Sequence, residues 1–136
     1  MSADTTIEQI MRAGSQRLSP TMPIREAVAL FIRQRIPSAP VINEAGALVG
    51  ILTEKDCFGP MLKASYYQQW EGTVAGHMSR SVLTLPADLD LVSAAEEFLA
   101  RSHRVYPVIR EGDVVGMLHR SDLFAAILDL SEPASR

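Results

Sequence analysis

The chain has a single cysteine, Cys57, so no internal disulfide can hold it together. Its longest clean apolar run, Ala27 to Ile32, is far too short to cross a bilayer. No apolar amino-terminal stretch with a basic flank resembles a signal peptide. These absences lead to the expectation of a cytoplasmic protein with no membrane partner. Positive charge is not in surplus either: 13 Lys and Arg face 16 Asp and Glu, a formal charge of −3. A general nucleic-acid binder needs basic residues to displace counterions from phosphates, so no nucleic-acid partner is expected, although a local basic pocket is compatible with this balance. The histidines His77, His103 and His119 lack metal-ligand spacing. No nucleophile, base and orienting group can be assembled either, so the sequence supports no catalytic residue, no metal and no catalytic cofactor.

What remains is ordinary globular composition, 47% hydrophobic and 21% charged over 136 residues. That length suffices for one compact domain or for two small units sharing a core. Disorder is expected only at Met1 to Thr5 and Glu132 to Arg136.

The chain repeats itself. "GILTEKD" (Gly50–Asp56) and "GMLHRSD" (Gly116–Asp122) lie 66 residues apart. A shift of 67 places Ile7 on Val74, Met11 on Met78, Leu18 on Leu85, Phe31 on Phe98, Ile32 on Leu99, and Pro40-Val41-Ile42 on Pro107-Val108-Ile109. The register drops by one between "NEAGALVG" and "REGDVVG", a turn that tolerates a lost residue.

In each copy a one-faced helix comes first: Ile24, Ala27, Val28, Phe31 and Ile32, then Leu91, Ala94, Ala95, Phe98 and Leu99. Pro23 and Asp90 stand at their starts, Asp90 as an N-cap. An extended run through a proline, a glycine turn and a second apolar run predict a β-hairpin. "DCFGPMLKASYYQQ" and "DLFAAILDL" read as second helices, the first interrupted at Gly59-Pro60. Short segments, "IEQIM" and "VAGHM", precede the two copies. The fold class is therefore α+β, with two pseudo-symmetric helix-strand-strand-helix repeats packed sheet to sheet into one module. Residues 1–70 form the first repeat with its amino-terminal segment, and 71–136 the second.

This doubled pattern of helix, apolar-Pro-Val-apolar, glycine turn and Val-Gly-apolar-apolar-x-x-x-Asp resembles the cystathionine β-synthase (CBS) domain pair, or Bateman module, from about Ile7 to Leu130. The resemblance implies a free-standing, non-enzymatic regulatory module. It would bind an adenosine-containing small molecule (AMP, ADP, ATP or S-adenosylmethionine) as regulatory ligand. It would also form a homodimer and act on an unidentified effector protein.

Carried onto this chain, the family's pattern makes Asp56 and Asp122 acceptors for ribose hydroxyls. Thr53 and Ser121 then offer hydroxyls to a phosphate at a helix amino terminus, with Lys55 and Arg120 as cations and arginine the better fork. Adenine would lie against Ile36, Ser38 and Ala39 in the first copy and Val105 and Tyr106 in the second, with Arg104 beside them. His119 stands where the family favours Thr or Ser, and Glu54 stands where the second copy has Arg120. Phosphate is therefore expected more readily at Asp122, with Arg35 available from the other copy.

Alternatives stay open for several of these residues. Thr53 to Asp56 also reads as a capping box, and Tyr106 also as a core filler in place of Ala39. Cys57 reads as a small buried filler. Tyr66, Tyr67 and Trp70 form either a dimer face or a cover for the linker. For the whole chain, the alternative function is a ligand-free dimerisation scaffold for a partner protein.

Overall fold

The computed structural model describes residues 4–14 and 16–132. The ends expected to be disordered lie mostly outside these; within them Thr5 is buried. The chain divides into two compact units, 16–82 and, from two pieces, 4–14 with 83–132. The repeat boundary divides duplicated sequence. The compact units are cut differently, because each short leading segment joins the sheet of the repeat that it does not precede.

The unit 16–82 holds helix α1 (Ile24–Gln34), strands β2 (Ser38–Ile42) and β3 (Leu48–Thr53), and helix α2 (Glu54–Tyr67). Its strands pair antiparallel, Ser38 facing Thr53 and Val41 facing Gly50. Single bridges widen the sheet on both sides, Leu18 to Val41 and Ser79 to Ile51. Ile24, Ala27, Val28 and Phe31 turn inward onto Val41, Leu52 and Cys57. Ile32, expected on that face, is 70% exposed. It lies one residue past Phe31, on the flank of the buried stripe, where a helix of 3.6 residues per turn has rotated away from the core.

α2 runs unbroken through Gly59-Pro60, contrary to the expected interruption. Gly59 lacks the Cβ that would press against the proline ring, and the ring itself is buried, so packing offsets the missing N–H donor. Trp70 packs against the core of this unit, while Tyr66 and Tyr67 are exposed.

The other unit repeats the plan with β1 (Arg12–Ala13), β4 (Leu85–Pro86), helix α3 (Leu91–Ala100), β5 (Val105–Arg110), β6 (Asp113–His119) and helix α4 (Arg120–Ser131). Its sheet order is β1-β6-β5-β4. Arg12 faces Met117, and Leu85 faces Val108 in parallel. These are the same pairings, residue for residue, as Ser79 with Ile51 and Leu18 with Val41 in the first unit. Asp90 caps α3 by accepting the Ser93 N–H at 3.1 Å. Ile7, Leu91, Ala94, Tyr106, Val108 and Leu118 make the core. Leu99, the match of Ile32, is 88% exposed for the same helical reason.

The glycine opening each motif now has a cause. A Cβ on Gly50 would lie 2.5 Å from Met78 Sδ and 2.9 Å from the Ser79 carbonyl oxygen. On Gly116 it would lie 2.6 Å from Met11 Sδ and 2.8 Å from the Arg12 carbonyl oxygen. The leading segments cross the sheet so closely that only hydrogen fits.

Candidate functional site

In each unit the second strand of the hairpin runs straight into a helix, and the aspartate is the third helical residue. Matching backbone bonds fix this junction: Glu54 N–H donates to the Pro37 carbonyl at 2.9 Å, and Arg120 N–H to the Arg104 carbonyl at 2.8 Å. The two junctions are thus alike in backbone. They differ in what their carboxylates do.

At the first junction Thr53 is the N-cap, and the capping box forms. The Thr53 N–H and hydroxyl donate to Asp56 Oδ2 at 2.9 and 3.0 Å, and the Asp56 N–H donates back to Thr53 Oγ1 at 3.4 Å. These bonds engage only one carboxylate oxygen. Ser38, opposite Thr53 and therefore on the same sheet face, is buried, and its Oγ has no hydrogen-bond partner among the described residues. Ala39 is buried, Ile36 is partly buried, and Lys55 and Glu54 are exposed. Cys57 is buried, with Sγ donating to the Thr53 carbonyl at 3.4 Å. Burial, then Asp56 and Glu54, push its thiol up to about 11, so it is protonated at neutral pH.

At the second junction His119 is the N-cap but makes no side-chain cap bond. Asp122 instead accepts from Arg12, Nε to Oδ2 at 2.8 Å and Nη2 to Oδ1 at 3.4 Å. That bond holds the Arg12 guanidinium above its ordinary pKa. Burial, then Arg12, push the His119 imidazole below its ordinary 6.5, and Asp122 opposes them. Arg104, Arg120 and Ser121 are exposed around this helix start. Val105 is buried.

The Tyr106 side chain turns into the core. It is fully buried, its hydroxyl donates to the Glu97 carbonyl at 3.3 Å, and its ring stacks on His103 and meets Phe98 edge-on. Ala39, at the matching position of the first unit, is buried as well. The backbone brings Ser38, Thr53 and Asp56 to one corner, and His119, Ser121 and Asp122 to another.

Sequence reasoning missed Arg12, whose partner lies 110 residues away. The one available signal was that the shift of 67 places Arg12 on Ser79, a change of charge beside a repeated methionine. Among the described residues no group of histidine, cysteine and acidic side chains is arranged to hold a metal, and no helix is long and apolar enough to cross a membrane.

Two units, each ending its hairpin in a helix with an aspartate at the third position, define a class of paired α+β modules. The CBS domain family model matches residues 7–62 and 73–129, and the chain belongs to that family. An uncharacterised 17.7 kDa protein of Acidianus ambivalens is 27% identical over 127 residues, covering 93% of this chain and 75% of that one. An uncharacterised protein of Methanocaldococcus jannaschii is 23% identical over 85% of this chain, which spans only 40% of its length. Among solved structures, the CBS-pair protein CBSX2 from Arabidopsis thaliana superposes with a TM-score of 0.79 at 23% identity, covering 95% and 98% of the two chains. The same protein has been solved in complex with AMP. The CBS domain pair of protein MJ0100, in complex with 5′-methylthioadenosine and S-adenosyl-L-methionine, has a TM-score of 0.76 at 25% identity, covering 92% and 97%.

Proposed function

We propose that this chain is a non-catalytic regulatory module that binds an adenosine-containing ligand at the strand-to-helix junctions, with Asp56 and Asp122 receiving ribose hydroxyls. The observation that carries this reading is the duplicated junction itself. Both copies put a carboxylate at the third residue of a helix, where the helix dipole also favours a phosphate. The unpartnered Ser38 hydroxyl adds a buried polar group in want of a partner at the first junction. Relatives of the same fold crystallised with AMP and with S-adenosylmethionine support the ligand class.

The module acts as a homodimer in the cytoplasm and passes ligand occupancy to an effector protein. The dimer reading is supported by matched apolar side chains left exposed in both repeats: Phe58 and Phe124, Leu62 and Leu128, Ile32 and Leu99.

A second reading, a ligand-free scaffold, draws on the same carboxylates, since Asp56 already caps its helix and Asp122 is already paired. A thermal-shift panel of AMP, ADP, ATP, S-adenosylmethionine and NADH separates the two. A ligand that binds only the folded state raises the midpoint, by about 2.7 kcal/mol of stability at a hundred times its Kd. A rise with an adenosine compound is expected, and silence across the panel favours the scaffold.

A further inference from the structure

The two junctions carry opposite charge, and Arg12 is the cation of the second that closes on its carboxylate. Matched position by position, the second repeat has Arg12, Arg104 and Arg120 around Asp122, a formal +2. The first repeat has Ser79, Pro37 and Glu54, with Lys55 and Asp56, a formal −1. Arg12 and Ser79 are equivalent in space as well as in sequence, since each pairs with the same residue of the second hairpin strand, Met117 and Ile51. Yet only Arg12 reaches the carboxylate, closing a fork of 2.8 and 3.4 Å on both oxygens of Asp122.

An uncharged adenosine must displace this arginine to reach Asp122 and has nothing to offer it in return. A phosphorylated adenosine brings an anion to the same helix start, and the guanidinium can exchange its carboxylate for a phosphate without losing its charge-assisted bonds. The ion pair is half-exposed, so the exchange needs no rearrangement of the core.

The geometry points to Arg12 as a specificity-determining residue that makes the second-repeat junction select phosphate-bearing adenosine ligands, while the first junction, without it, accepts uncharged ones. This inference rests on the adenosine reading above and adds to it the class of ligand that each junction takes.

Calorimetric titration with AMP and with adenosine, on wild type, Arg12→Ala and Arg12→Lys, tests it. Wild type is expected to prefer AMP. Arg12→Ala should narrow that preference by about tenfold or more, weakening AMP by the loss of a charge-assisted bond and tightening adenosine by freeing Asp122. Arg12→Lys keeps the charge but loses the fork, and should fall between. Adenosine filling one site in wild type and two in Arg12→Ala would also support the role. If both ligands bind and their ratio is the same in all three proteins, Arg12 has no such role and the adenosine reading stands. If neither ligand binds any of the three, the adenosine reading fails and the selectivity falls with it.

Discussion

At the scale of single residues, the capping position differs between the two junctions: threonine at position 53 and histidine at position 119. Thr53 closes a capping box, whereas His119 leaves its helix uncapped and holds a half-buried imidazole beside a guanidinium. The sign of the pH effect follows from the lowered pKa. In the unfolded chain the imidazole takes a proton as pH falls below about 6.5, and in the folded chain it does so only at lower pH. Stability is therefore lost as pH drops through that window, and the loss levels off beneath the folded pKa. His119→Thr should remove this acid-side loss and add a cap of about 1 kcal/mol, raising the thermal midpoint by about 3 °C at neutral pH. Melting curves at pH 7.5 and 5.5 check both effects. Asp122→Ala should weaken AMP binding by about ten- to a hundredfold, the cost of charge-assisted hydrogen bonds to ribose. The identities of Asp56 and Asp122 were legible from their repeated place in a motif. The engagement of Asp56 was legible too, as a capping box, but that of Asp122 was not, because Arg12 is brought to it only by strand pairing over a separation of 110 residues.

At the scale of elements, the helices and hairpins were legible because apolar periods of 3.6 and 2 change over at the prolines and glycines. The leading segments were not, since "IEQIM" and "VAGHM" are too short for periodicity to say which sheet they join. The glycines of the two motifs record the answer, each lying under the methionine of the segment that leads the other repeat. Gly116→Ala should force the Arg12 carbonyl and Met11 away from β6, costing about 1 to 3 kcal/mol as overpacking does. Hydrogen exchange should then accelerate in 7–13 before the rest of the unit. Uniform exchange with unchanged stability would show that the segment is not held there. Pro60 teaches the converse: a residue that usually breaks helices is accepted where glycine precedes it and burial rewards it.

At the scale of the whole molecule, duplication leaves the same side chains bare twice, and a single chain gives them no cover. Phe58→Glu with Phe124→Glu should convert a dimer into a monomer in sedimentation velocity while leaving the melting of the isolated fold nearly unchanged. An unaltered sedimentation coefficient would remove these faces from the interface. The central claim is that the duplicated carboxylates exist to hold a sugar. It is tested most directly by titrating AMP into wild type and into Asp56→Ala/Asp122→Ala in the calorimeter. Saturable binding to the wild type, with affinity reduced at least about tenfold in the double variant, is the predicted result. Identical isotherms for the two proteins, or no heat from either, would contradict it.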